Sequence, residues 1–181
     1  MNTLNINAIA LALGLAFSAG AMAQTMSKND YKAGQDKIPA DYKSAKTACA
    51  SSSRNAKDVC MARAKGNENT AKANLEAEYK PNAENRYQAR AAKADADYGV
   101  AKERCDDKAG NAKDICVKEA QAAQTSAKAD AKVQMKTSDA HKDATADKMG
   151  ADYAVAKEKC DTEAGTAKDN CLSQAKARFH Q

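Results

Sequence analysis

The chain has 181 residues, with 29 Lys and Arg against 24 Asp and Glu, six cysteines and no tryptophan. Beyond residue 23 only ten residues are Ile, Leu, Val or Phe, well under the ~20% a globular core draws on, so a large jigsaw core is excluded. Interleaved charges and few aromatics also argue against a nucleic-acid partner.

The first segment reads as a secretory signal peptide. Ala8 to Phe17 is an unbroken apolar run, and Ala21-Met22-Ala23 is an A-x-A cleavage pattern before Gln24. The run is too short to span a membrane. No Lys or Arg precedes it, which departs from the usual pattern. Residues 1–23 are therefore assigned to the leader, and no later stretch reads as a transmembrane helix.

Residues 24–38 are polar and predict a partly ordered segment in which Ser27 and Asp30 cap a short helix. Pro39 suits the first turn of the next helix, leading to Cys49. A helix then runs from beyond Asn55 toward Lys80, with Gly66 and Asn67 as weak points, and Pro81 ends it. Further helices are predicted from Asn82 to Ala109 and from Asn111 to about Lys136. Thr137, Ser138 and Asp139 offer another break, after which helices reach Ala164 and then span Ala167–Phe179. Residues 39–181 thus form one helical repeat region.

Within it one stretch recurs three times, at 41–64, 97–120 and 152–175. Each copy carries the spacing C-x10-C: Cys49 and Cys60, Cys105 and Cys116, Cys160 and Cys171. Between the cysteines, Gly110 and Gly165 suit a left-handed residue just past a helix end. Asn55, Asn111 and Thr166 follow, each three residues before an aspartate, as in a capping box. This punctuation predicts helix, tight turn, helix. Residues equidistant from such a turn face each other, so three local disulfides are expected. An unbroken helix would instead hold the two thiols about 16 Å apart on one face, each needing a partner on another helix. Arg54 stands in the first copy where the others have glycine, so that tip should be the least regular.

Helical spacing extends this to packing. Tyr87, Ala91, Ala94, Tyr98, Ala101 and Cys105 share one face, and Cys116, Ala120, Ala123 and Ala127 another. Tyr42, Tyr98 and Tyr153, which open the copies, read as knobs packed on a facing helix. The expected fold is all-α: an elongated array of antiparallel helices built from three helix-turn-helix repeats, each stapled by a local disulfide.

Chemistry is sparse. His141 and His180 have no spaced partners, and no nucleophile elbow, P-loop or dinucleotide fingerprint occurs. The cysteines lack C-x-x-C and zinc spacing. No catalytic, cofactor-binding or metal residues and no cofactor are assigned. Charge is uneven: residues 28–65 hold nine Lys and Arg against four Asp and Glu. An anionic envelope surface or an envelope protein is the partner this segment suggests.

Two resemblances carry further expectations. The leader followed by AKxxCDxxxGNAKDxCxxEA resembles small exported bacterial Ala/Lys-rich repeat proteins, and AKADAKVQMK and ARAAKADADY resemble the helical middle domain of TolA in composition. The 11-residue units TAKANLEAEYK and AVAKEKCDTEA resemble group 3 late-embryogenesis-abundant proteins, which implies a stress protectant that folds on its partners. The principal expectation is a non-enzymatic periplasmic or secreted structural or interaction protein. A protectant and a cysteine-based redox or metal-handling protein are the alternatives.

Overall fold

The computed structural model describes residues 26–180. The assigned leader lies outside them. Five α-helices follow one another: α1 (Lys28–Ala48), α2 (Arg54–Tyr79), α3 (Ala83–Cys105), α4 (Gly110–Cys160) and α5 (Gly165–Phe179), with a 3-10 turn at Cys49–Ser51. Among the described residues each helix packs only on its neighbours in sequence. The result is an open array of antiparallel helices, not a closed bundle.

Three disulfides staple it: Cys49–Cys60, Cys105–Cys116 and Cys160–Cys171, with Cα atoms 5.6, 5.7 and 5.6 Å apart. The local pairing expected from Gly-bearing C-x10-C is the one observed. Cys49, Cys105 and Cys160 are almost completely buried, and the other buried hydrophobic side chains among the described residues are all alanines. The sulfurs and the small alanine contacts together replace the missing core.

Two expected boundaries are absent. Helix α1 begins at Lys28 with Ser27 as its cap, the Ser27 hydroxyl accepting from the Asp30 amide at 3.1 Å, and continues unbroken through Pro39. Residues 28–38 are therefore the first part of a 21-residue helix and not a separate segment. Pro39 cannot donate to the Gln35 carbonyl. Both residues lie on the exposed side of the helix, while Ile38 turns inward. The second absent boundary is at Thr137–Asp139, where α4 passes without a break, as it also does at Gly150. At 51 residues α4 is about 76 Å long. Gly66 and Asn67 likewise leave α2 intact. Pro81 does end α2, and Asn82 caps α3 by accepting from the Asn85 amide at 2.7 Å.

Packing thins along the chain. Between α1 and α2, Tyr31 stacks on Tyr79 with ring centroids 4.2 Å apart, and its hydroxyl donates to Glu76. Gly34 lets α1 approach α2 beneath Leu75, where a Cβ would come within 2.6 Å of the leucine. Gly66 brings α2 equally close to α3, a Cβ there falling 2.6 Å from the Ala96 methyl. The α3–α4 seam is Ala94, Tyr98 and Ala101 against Ala120, Ala123 and Ala127, edged by a Lys128–Asp95 ion pair. The α4–α5 contact is the slightest: the disulfide, buried Ala175, and Tyr153 tilted against Phe179 at 6.4 Å.

Candidate interaction surface at the first hairpin

The three tips are built alike. The residue opening the second helix is left-handed in each: Arg54 at φ 51°, Gly110 at 53° and Gly165 at 60°. The left-handed position anticipated at the glycines is present, and the arginine adopts it too. Its place differs from the expectation. It begins the outgoing helix, several residues after the incoming helix has closed in an αR cap at Asp106 or Asp161.

The predicted caps are corrected accordingly. The N-cap positions are Ser53, Ala109 and Ala164, and none makes a side-chain cap bond. Asn111 and Thr166 stand two residues past the cap positions, too far into their helices to cap them. In the first tip Asn55 is turned in, and its amide nitrogen and oxygen are both buried without a hydrogen-bond partner. The capping-box pattern misled because the left-handed residue stands inside the helix start, shifting the register by two.

What closes the second and third tips is an ion pair that spacing did not single out. Lys113 reaches across to Asp106 at 2.9 Å, and Lys168 to Asp161 at 2.8 Å. The Asp106 carboxylate raises the Lys113 pKa, and Asp161 raises that of Lys168. Lys168 in turn holds the Asp161 carboxyl below the ordinary aspartate range. In the first tip the corresponding lysine is Lys57, but the acid is replaced by Ala50. The signal was in the repeat alignment: C-D-x-x-x-G twice, C-A-S-S-S-R once.

The first hairpin is thus the one whose tip lysine has no acid across the turn. Of its nine basic residues, Lys37 pairs with Asp41, Lys65 pairs with Glu68, and Lys46 lies 5.4 Å over the Tyr42 ring. Lys28, Lys32, Lys43, Arg54, Lys57 and Arg63 are exposed and have no carboxylate partner among the described residues. Behind this face Glu68 is 8% exposed, clamped by Lys72 at 2.6 Å and Lys65 at 2.9 Å. Those two ammonium groups hold its carboxyl below the ordinary glutamate range, and Glu68 raises the Lys65 pKa. Glu68 is held by two lysines of its own helix, and its charge is not available to neutralise the outer lysines. Tyr42, between Lys46 and Lys65, packs at the α1–α2 groove beside Ala45 and Ala64.

The other sequence candidates do not converge. His141 lies on the exposed middle of α4 and His180 caps α5, far apart along the chain. All six cysteines are bonded. Among the described residues no group of three or more His, Cys, Asp or Glu is placed to hold a metal ion, and no helix is long and apolar enough to cross a membrane. The structure defines an all-α repeat of disulfide-stapled hairpins. No protein-family model, curated protein or solved structure matches this chain.

Proposed function

We propose that this chain is an exported, non-enzymatic scaffold that presents the basic face of its first hairpin to an anionic envelope surface. Three disulfides belong to an oxidising compartment, and the apolar leader sequence supports export. The observation that carries the reading is the difference between tips: the lysine neutralised by Asp106 and Asp161 in two copies is left unpaired beside Ala50 in the first, with Arg54 added. Exposed cations on a prefolded frame bind anionic surfaces by counterion release, so attachment should weaken as salt rises.

Sedimentation with vesicles tests this. The oxidised chain should pellet with phosphatidylglycerol vesicles at low salt and stay free of phosphatidylcholine vesicles. Arg54→Glu with Lys57→Glu should abolish pelleting, while Lys113→Glu, one charge reversal on another tip, should leave most of it. Equal loss from both variants would reject the first hairpin as the contact.

A further inference from the structure

The array turns back on itself at the first joint between copies and fails to do so at the second. The Cys60 to Cys116 shift of the repeat lays Lys80-Pro81-Asn82 on Lys136-Thr137-Ser138. At the first joint proline ends α2, and α3 folds back against it. At the second the chain continues as helix. The face that the first joint buries is therefore still carried by α4, but nothing among the described residues covers it.

Residue by residue, the first joint packs Gly66 against Ala96, and by helical spacing Thr70, Ala73 and Ala77 lie on the same face of α2. Ala89, Ala92, Ala96 and Val100 line the facing side of α3. All of these are buried or half-buried. The Cys60-to-Cys116 shift carries the α2 set to Ala122, Ser126, Ala129 and Val133, and the Cys105-to-Cys160 shift, one residue shorter, carries the α3 set to Ala144, Asp147, Ala151 and Val155. All eight are exposed. Val133 at 64% and Val155 at 55% are among the few large apolar side chains this well exposed.

The face is self-complementary. Gly66 and Ala96 lie at equal distances from Pro81; transferred to α4, the same pairing sets Ala122 opposite Ala151, Ala129 opposite Ala144 and Val133 opposite Ala140, about a centre between Lys136 and Thr137. A single unbroken helix cannot make these pairings with itself. A second antiparallel α4 makes every one of them twice, as an isologous interface requires. Charge agrees with this orientation. Residues 117–136 hold four lysines against two acids, and residues 138–152 hold four aspartates against two lysines. Antiparallel pairing lays each basic half on an acidic one. Ser126 would face Asp147, with a hydroxyl to donate to the carboxylate.

Neighbouring helices do not obstruct it. The order α1, α2, α3, α4 already shows that a helix paired through this face can also hold a stapled partner on its other side. In the pair, α3 and α5 take those outer places.

We propose that the open face of α4 is the docking surface for a second copy of this chain, giving a two-fold dimer in which the α4 helices run antiparallel over about 55 Å. The interface is the first joint of the fold exchanged between molecules, the mode of a domain swap. Ala122 stands where Gly66 does, so the two α4 helices sit slightly further apart than α2 and α3. Surface attachment by the first hairpin does not depend on this dimer, although two copies would present two basic tips.

Sedimentation equilibrium on the full oxidised chain measures it directly. Twice the chain mass is expected, with Ala129→Lys and Ala144→Glu each weakening association by about tenfold or more. Combined on one chain they should restore it, since each lysine then faces a glutamate of the other copy. A monomer throughout the micromolar range would overturn the proposal, whether α4 stays open or folds back at Thr137. A dimer indifferent to both single substitutions would overturn it as well, by placing the contact elsewhere. Circular dichroism of each variant guards against mistaking unfolding for dissociation.

Discussion

The first and last hairpins use the same turn but are held together differently. In the first, α1 and α2 share a Tyr31–Tyr79 stack, a Tyr31–Glu76 hydrogen bond and a glycine-permitted approach at Leu75, besides the disulfide. In the last, a 15-residue α5 is held on α4 by one disulfide, one buried alanine, one tilted aromatic pair and the exposed Lys168–Asp161 ion pair at the tip. An isolated helix of that length is marginal in water. The difference teaches that an identical staple matters in inverse proportion to the packing around it. The hairpin with packing to spare is the one that leaves its tip charges free.

The largest effect should come from cutting that staple. Cys160→Ser with Cys171→Ser removes a short closed loop worth about 3 kcal/mol. That exceeds what the remaining α4–α5 contacts supply, so trypsin should cleave rapidly after Lys168 and Lys176. The matching pair Cys49→Ser with Cys60→Ser should leave α1 docked and Lys37 and Lys43 resistant. Equal sensitivity of both ends would erase the contrast.

The turn residues sharpen it at smaller scale. Gly165→Val or Gly110→Val forces a β-branched residue to positive φ and should cost about 1–2 kcal/mol in a thermal melt. Arg54→Gly should act in the opposite direction. It relieves the left-handed strain but loosens the unfolded chain, for a net gain below about 1 kcal/mol. If Arg54→Gly destabilises, the arginine has a contact worth more than its strain.

Acidity should separate the tips by the smallest margin. Lys168 lowers the Asp161 pKa, so the pair's stabilisation is fully present above the ordinary aspartate pKa and lost as pH falls through the lowered one. The Lys168 pKa is raised, so the same contact is also lost as pH rises through that higher value. Amide protection factors at the third tip, each referred to the intrinsic exchange rate at the same pH, should therefore fall below about pH 4. The first tip, with Ala50 in the acid's place, should show no such change. Exposed pairs of this kind contribute little, so the shift will be modest.

Much of this architecture was legible in the residues. Glycine between two cysteines eleven apart implies a reversal, and a reversal places those cysteines opposite each other; the pairing followed. Alanine spacing likewise located the α3–α4 seam. Two boundaries were misread because local signals were weaker than their surroundings. Pro39 sits on the exposed side of a helix that Tyr31, Ile38 and Tyr42 hold from the other. Thr137-Ser138-Asp139 lacks a proline, and lysine-rich flanks of high helix propensity carry the helix through it. The tip ion pairs were missed because they cross a turn at a spacing that belongs to neither helix nor capping box.

The central claim is that this chain is a prefolded frame whose hairpins are held locally, each by its own staple and packing. Amide hydrogen exchange on the oxidised and reduced chain tests that most directly. Strong protection is expected throughout α2 and α3 in both states, with α5 protected only when Cys160 and Cys171 are joined. Uniformly fast exchange in the oxidised chain, or an α5 that stays protected after reduction, would contradict it.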